Sequence, residues 1–314
     1  MRLYSLLATA KINLYLEIVG SRPDGFHELI MVMQSISLAD RVTVRSIGVD
    51  EIRVRCDHPL VPTDETNLAY KAAALLLERF PSAMTRHGGV EITIEKQIPV
   101  GAGLAGGSSN AAAVLMGLDM LWQLGLTRIE LQVLGSELGS DVPFSLVGGT
   151  AIATGRGEQL DPLQGIPKLH VVLAKYGQEF VSTPWAYKTY REEFEETYES
   201  EAAAFESRRS VVQSGEMVSA IANHNSAGMG THLYNDFEKV VLPVHPKTAE
   251  LKATMANLGG LGTLMSGSGP TVFTLTETQE KADAIAQKLK GALPDPDLGV
   301  WTAQFASTGI QIDG

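Results

Sequence analysis

Apolar and polar residues alternate through the first part of the chain. Ile12, Leu14, Leu16 and Ile18 fall on one side, and Lys11, Asn13, Tyr15 and Glu17 on the other, so the stretch from Leu6 to Ile18 is expected to be a strand with one buried face. Arg22-Pro23-Asp24-Gly25 has turn composition, and Leu29 to Leu38, Asp40 to Val44 and Ile52 to Arg55 resume strand patterns. Thr66 to Phe80 is rich in Ala and Leu and stops at Pro81, which predicts a helix packed on that sheet. Val90, Ile92 and Ile94 alternate with Glu91, Thr93 and Glu95, a further strand. The period then changes. Val114, Leu115, Leu118, Leu121 and Trp122 recur at spacings of three and four, with Ser108, Ser109 and Asn110 as oxygen-bearing residues around the helix start. A second helix carries Leu131, Leu134 and Leu138 behind a capping box of Thr127 and Glu130. Near its end, Ser140-Asp141-Val142-Pro143 suits another helix start, so Asp141 reads equally well as an N-cap or as a chemical group.

Residues 149 to 160, with Gly155 and Gly157, read as a hairpin, and the stretch from Leu160 to Pro167 has linker composition. The expected units are therefore 1–161 and 162–314. In the second, His170 to Leu173 is a short apolar strand, Thr183-Pro184 a helix cap and first turn, and Arg191 to Ser207 an acidic run with the character of an exposed helix or mobile insert. His245-Pro246 opens a helix that ends before Gly259-Gly260. Ser266-Gly267-Ser268-Gly269-Pro270 is a glycine turn ahead of the strand with Val272, Phe273 and Leu275. Ala282 to Leu293 is helical, and Val300 to Phe305 is the last expected strand. This β-α-β-α-β order is close to a ferredoxin-like arrangement, and the chain as a whole is α+β.

Length and composition narrow the function. With 314 residues and 44% apolar content the chain can fill two modest domains sharing one cleft. A net charge of −11 argues against nucleic acid as a nonspecific partner, although a local basic pocket is compatible with it. The single cysteine, Cys56, cannot form an internal disulfide, the first residues lack a secretory pattern, and no apolar run reaches the roughly 20 residues a membrane span requires. A cytoplasmic protein that acts on a small molecule is the expectation.

The chemistry concentrates in Pro99-Val100-Gly101-Ala102-Gly103-Leu104-Ala105-Gly106-Gly107-Ser108-Ser109-Asn110, which joins a strand to a helix N-terminus. Glycine backbone can approach a ligand closely, and the free N–H groups and dipole of a helix start favour phosphate. A Walker loop needs Lys after its last glycine, and Gly106 is followed by Gly107 and Ser108. A dinucleotide fold needs a second strand ending in a carboxylate, whereas here helix follows helix. The stretch resembles instead the ATP loop of the GHMP kinases, the family of galactokinase, homoserine kinase and mevalonate kinase. Ala10-Lys11-Ile12-Asn13-Leu14 and Ser266-Gly267-Ser268-Gly269-Pro270 resemble the same family in the same order, so the resemblance spans the chain.

That resemblance implies two domains, the first like ribosomal protein S5 domain 2 and the second ferredoxin-like, with the active site in the cleft between them. It implies ATP and Mg²⁺, the metal helped by the hydroxyl of Ser108 or Ser109, with Pro99 to Ser109 around the nucleotide. Lys11 and Asp141 become the catalytic pair. Arg22-Pro23-Asp24-Gly25-Phe26-His27, Leu138-Gly139-Ser140-Asp141-Val142-Pro143-Phe144 and Asn235-Asp236-Phe237-Glu238 resemble a branch that phosphorylates a cytidine diphosphate-linked methylerythritol in isoprenoid precursor synthesis. In that branch Asn13 and Thr183 would meet the substrate, and Phe26 and an aromatic near Tyr187 would sandwich the cytosine while His27 bonds its edge. The alternatives are another small-alcohol kinase such as homoserine kinase, an ATP-dependent decarboxylase, or a silent nucleotide sensor. The last is disfavoured because Lys11 and Asp141 are both present.

Overall fold

The computed structural model describes residues 2–164, 167–199 and 202–313. The strands are β1 (Leu3–Ser21), β2 (His27–Ile47), β3 (Ile52–Cys56), β4 (Gly89–Glu95), β5 (Thr150–Gly155), β6 (Gln159–Leu163), β7 (His170–Tyr176), β8 (Tyr234–Asn235), β9 (Gly262–Met265), β10 (Val272–Thr276), β11 (Leu298–Gln304) and β12 (Ile310–Ile312). They build two sheets among the described residues.

The first sheet grows from one long ribbon. β1 and β2 pair antiparallel from Leu3 opposite Arg45 to Ser21 opposite His27, closed by the Arg22–Phe26 turn. Register shifts at Thr9/Ala10, Asn13/Tyr15 and Ile18/Gly20 bend and twist the ribbon. β2 can therefore pair with β5 near its start and with β4 near its end. The helices Leu68–Arg79 and Gly106–Trp122 cover the β4 end, burying Ala72, Leu76, Val114 and Leu118 with Leu6, Val42 and Ile92. A Cβ on Gly117 would stand 2.8 Å from Val44 Cγ2, so that glycine sets how closely the second helix lies on the sheet.

The second sheet has the order β11-β7-β10-β9, the strand order of a ferredoxin-like fold. Helices Pro246–Ala256 and Gln279–Ala292 pack Leu251, Met255, Ile285 and Leu289 on Val172 and Ala174. The face opposite joins the first sheet: Ala10, Ile12 and Leu14 of β1 share a core with Val171, Leu173, Phe273 and Leu275. Each fully buried large side chain in that core contributes roughly 1.5–3 kcal/mol, which fixes the cleft between the two sheets.

Two expectations change, and a third is narrowed to one of its alternatives. The linker stretch begins later, because Leu160, Asp161 and Pro162 pair in β6 with β5, and proline is tolerated where β6 has no further neighbour. Residues 165 and 166 of that stretch lie outside the described residues. Of the two readings of the acidic run, the exposed helix is the one found among the described residues. The helices Thr183–Phe194 and Ala202–Gln213 take up its two ends, Glu199 N donates to Val19 O at 2.8 Å, and just beyond the run Arg208 Nε donates to Glu17 Oε1 at 2.7 Å and Val212 packs on Val19 and Ile30. Residues 200 and 201 of that run lie outside the described residues. Finally, Val300 to Phe305 is not the last strand. The chain returns as β12 beside β1, with Asp313 N on Ser5 O at 2.8 Å. On the way Gly309 presses against the short helix Val142–Val147: a Cβ there would lie 1.8 Å from Ser145 O. Among the described residues no helix is long and apolar enough to cross a membrane.

Candidate active site

A cavity of about 1070 Å³ opens between the sheets, and every residue from Pro99 to Ser108 lines it. The loop needs left-handed backbone at Gly101 (φ 61°) and Gly103 (φ 72°). It is also pressed from across the cleft. A Cβ on Gly103 would fall 2.2 Å from Ser266 O, and Ser266 Oγ donates to Gly103 O at 3.1 Å, so the two glycine turns pack backbone to backbone. Asp40, fully buried, ties the loop's ends. Its Oδ1 accepts from Gln97 N at 2.8 Å and Ile98 N at 2.9 Å, while its Oδ2 accepts from Asn110 Nδ2 at 2.8 Å and from Lys96 Nζ. Such a buried carboxylate is stable only with its acceptor sites filled.

The helix begins at Gly106, after Ala105 in left-handed conformation, so Ser108, Ser109 and Asn110 sit in its first turns and cap nothing. Ser109 leaves the candidate nucleotide contacts. Its buried Oγ donates to Thr9 O at 2.7 Å, away from the cavity, whereas Ser108 faces the cavity.

Lys11 and Asp141 meet as the resemblance implies. Lys11 lies on β1 with Nζ 3.8 Å from Asp141 Oδ2, and donates to Asn13 Oδ1 at 2.7 Å. Asn13 is buried, with its Nδ2 3.3 Å from Met31 Sδ. The alternation of β1 brings Lys11 and Asn13 to one face, and the ammonium is thereby aimed. Asp141 stands at the start of the helix Val142–Val147, but its backbone is already helical (φ −84°, ψ −11°) and its carboxylate makes no capping bond. The cap interpretation of Asp141 therefore fails.

The far wall holds Phe26, His27 and Tyr187. His27 stacks on Tyr187 with ring centroids 4.7 Å apart at 24° and meets Tyr198 edge-on at 6.0 Å. Its Nε2 is buried with no hydrogen-bond partner among the described residues. Burial, and then the Arg191 charge, lower the imidazole pKa to about 4. Tyr187 also touches Phe237 edge-on at 4.7 Å, and burial followed by the Asp141 charge raises its phenol well above the ordinary range. Phe26 is half exposed under the Arg156 guanidinium, 4.9 Å from the ring centre. Phe26 and Tyr187 thus share the cavity, but the ring lying on Tyr187 is His27. Thr183 shares a 2.8 Å hydrogen bond with Ser268 of the second glycine turn, and the cap of its helix is Ser182, not Thr183.

Sequence reasoning missed Asp40, Lys96, Arg156 and Tyr198, which carry no local motif. It also missed the apolar mouth of Leu60, Val61, Pro62 and Leu68. Asn67 organises that mouth, capping Ala69 N at 2.8 Å and donating to Pro62 O at 2.6 Å. Asn235-Asp236-Phe237-Glu238 proves to be a clamp. Asn235 Nδ2 donates to Met265 O and Gly267 O, Asp236 accepts from Ile18 N, and Glu238 accepts from Met265 N. Among the described residues no three acidic, His or Cys side chains gather as a metal cluster.

Comparison with known proteins agrees with this geometry. Residues 67–149 match the GHMP kinases N terminal domain, and residues 217–295 match GHMP kinases C terminal. The chain is 58% identical to a 4-diphosphocytidyl-2-C-methyl-D-erythritol kinase of Gloeothece citriformis (strain PCC 7424), covering 100% of this chain and 99% of that one. It is likewise 58% identical to the protein of the same name from Trichodesmium erythraeum (strain IMS101), over 99% of each. A crystal structure of 4-(cytidine 5'-diphospho)-2C-methyl-D-erythritol kinase superposes with a TM-score of 0.74 at 34% identity, covering 96% of this chain and 99% of that one. Homoserine kinase from Cytophaga hutchinsonii also reaches 0.74, over 99% of this chain and 98% of that one, but at 19% identity it shares the fold alone. The chain belongs to the GHMP kinases, among the 4-diphosphocytidyl-2-C-methyl-D-erythritol kinases.

Proposed function

We propose that the protein transfers the γ-phosphoryl group of ATP to the 2-hydroxyl of 4-diphosphocytidyl-2-C-methyl-D-erythritol, in the non-mevalonate route to isoprenoid precursors. The observation that carries this is the Lys11–Asp141 pair at 3.8 Å, in one cavity with the glycine loop and with His27. Phosphoryl transfer has a loose transition state and asks mainly for positioning and charge neutralisation. The loop N–H groups between Gly101 and Ser108 cradle the phosphates, and the mouth around Leu60 and Leu68 receives the adenine. Asp141 accepts the proton of the 2-hydroxyl as that oxygen bonds to phosphorus and the bond to ADP breaks. Lys11, aimed by Asn13, stabilises charge on the reacting oxygen. Mg²⁺ needs few protein ligands when phosphate oxygens supply the rest, and Ser108 offers the hydroxyl that fits it; bound there, it would neutralise phosphate charge. His27 meets the cytosine edge, and Phe26 stacks on the base.

ADP release in the presence of the cytidylated alcohol, and none with homoserine, is the expected result; the reverse preference would overturn the proposal. The cradle has its own test. A Cβ on Gly106 would press on Ile98 and Lys96 at 3.1 Å, but one on Gly107 meets nothing nearer than Leu68 Cδ1 at 3.8 Å. Gly107→Val should therefore raise KM for ATP by about tenfold or more, a loss of ~1.4 kcal/mol, with the melting temperature preserved. An unchanged KM would place the phosphates elsewhere.

A further inference from the structure

One buried cation has no part in the chemistry above. Lys175, near the end of β7, is 3% exposed. Alternation along β7 puts it on the side of Val171 and Leu173, which share a core with Ala102 and Leu104 of the glycine loop. A buried ammonium is stable only when its donors are met. Lys175 Nζ donates to Tyr176 O at 3.0 Å and to Gly177 O at 3.3 Å, and it stands 4.4 Å from the centre of the Phe180 ring. The two carboxylates whose charge reaches it are engaged elsewhere. Asp297 Oδ2 accepts from Gln178 N at 3.0 Å, and Glu179 Oε2 meets His245 Nδ1 at 3.0 Å. An aromatic face therefore completes the surroundings of this cation.

Phe180 is in turn placed against the loop. It is a large apolar side chain left 44% exposed, outside the lining of the cavity, yet a Cβ on Gly101 would fall 2.9 Å from Phe180 Cδ1. Gly101 is the first left-handed residue of the loop. Ser266 already presses on Gly103 from the second sheet, so the loop is touched from that side at two of its glycines.

We infer that Phe180, fixed by the Lys175 ammonium, is a positioning residue for the nucleotide, which holds Gly101 from outside the cavity so that the loop N–H groups are set before phosphate arrives. This rests on the loop being the ATP cradle of the function proposed above. Glycine loses more conformational freedom on ordering than any other residue. A contact that orders Gly101 beforehand lowers that cost, and the gain appears as affinity for ATP.

The test titrates the full chain with the magnesium salt of adenylyl imidodiphosphate, a non-hydrolysable ATP analogue, by calorimetry. Phe180→Ala should weaken binding about threefold to tenfold, the scale of a lost ring contact, and raise KM for ATP in step. KM for the cytidylated substrate, kcat and the melting temperature should stay as they are, and Phe180→Tyr should restore the affinity. Lys175→Met removes the charge and keeps an apolar chain of similar length. It should weaken the analogue in the same way, and the double variant should be little worse than either single one, because the two residues act through one contact. Unchanged affinity in Phe180→Ala would overturn the inference, as would equal losses for both substrates or a fall in melting temperature that accounts for them. If the unmodified protein binds the analogue and the variants do not differ from it, only this inference falls; if the unmodified protein does not bind it, the loop's role in the proposed function falls as well.

Discussion

Asp141→Asn should lower kcat by about 100-fold or more, the usual scale for losing a positioned base, with the melting temperature unchanged. The structure makes this a clean experiment. The carboxylate makes no capping bond, and the hydrogen bonds that Asp141 accepts from Ser145 N and Oγ go to its backbone oxygen, so the Asn variant keeps them. It loses the ability to take a proton and the charge facing Lys11. Near-normal turnover would show that Asp141 is not the base. Lys11→Ala should also cripple turnover, and the double variant should be little worse than either single one if the two act as a unit. That variant carries a structural cost as well, because it leaves the buried Asn13 Oδ1 without its donor.

His27→Ala should raise KM for the cytidylated substrate by about tenfold or more, since a site built to hydrogen-bond a base loses that bond and its stacking. KM for ATP should stay within about twofold, a difference well below 1 kcal/mol. Some stability is lost too, because the ring covers Tyr187; the ratio of the two KM values is therefore the readout, and equal changes in both would move the cytidine site elsewhere. The pH dependence is a second check. His27 ionises near pH 4 in the folded protein and near 6.5 in the unfolded chain. Between those values the unfolded state binds more protons, so the stability tied to the neutral imidazole is fully present above pH 6.5 and is lost as pH falls toward 4. His27→Ala should flatten that slope. KM for the cytidylated substrate should not follow an ionisation near pH 6.5 in the unmodified protein.

What the sequence disclosed depended on how local the signal was. The alternation around Lys11 and Asn13, the capping box at Thr127 and the glycine turns are properties of a few neighbouring residues, and the structure keeps them. Asp40 looked like any residue of a strand. Its role arises because the 57 and 58 positions that separate it from Gln97 and Ile98 close into hydrogen bonds, and no pattern along the chain encodes that closure. Ser109 misled for the opposite reason: its type suits phosphate, but its place in the helix turns it to Thr9. The acidic run left exposed helix and mobile insert undivided because charge dominates its composition, while its fixation rests on sparse contacts with distant strands, from Phe205 within it and from Arg208 and Val212 just beyond it. Asp141 illustrates the same limit. Its backbone angles, invisible in the sequence, separate a cap from a free carboxylate.

The return of residues 305–313 to the first sheet has a consequence for how the protein is made. During synthesis β1 emerges before β12, its neighbour on one edge, and must wait for it until every strand of the second sheet has been translated. Pairings so distant in sequence slow folding, and until then β1 presents an open edge of the kind that recruits other chains. The same late segment braces the helix whose first residue follows Asp141, through the close approach of Gly309 to Ser145 and Gly148. A polypeptide that stops after β11 would hold Lys11, Asp141 and the glycine loop but lack the segment that packs behind Asp141.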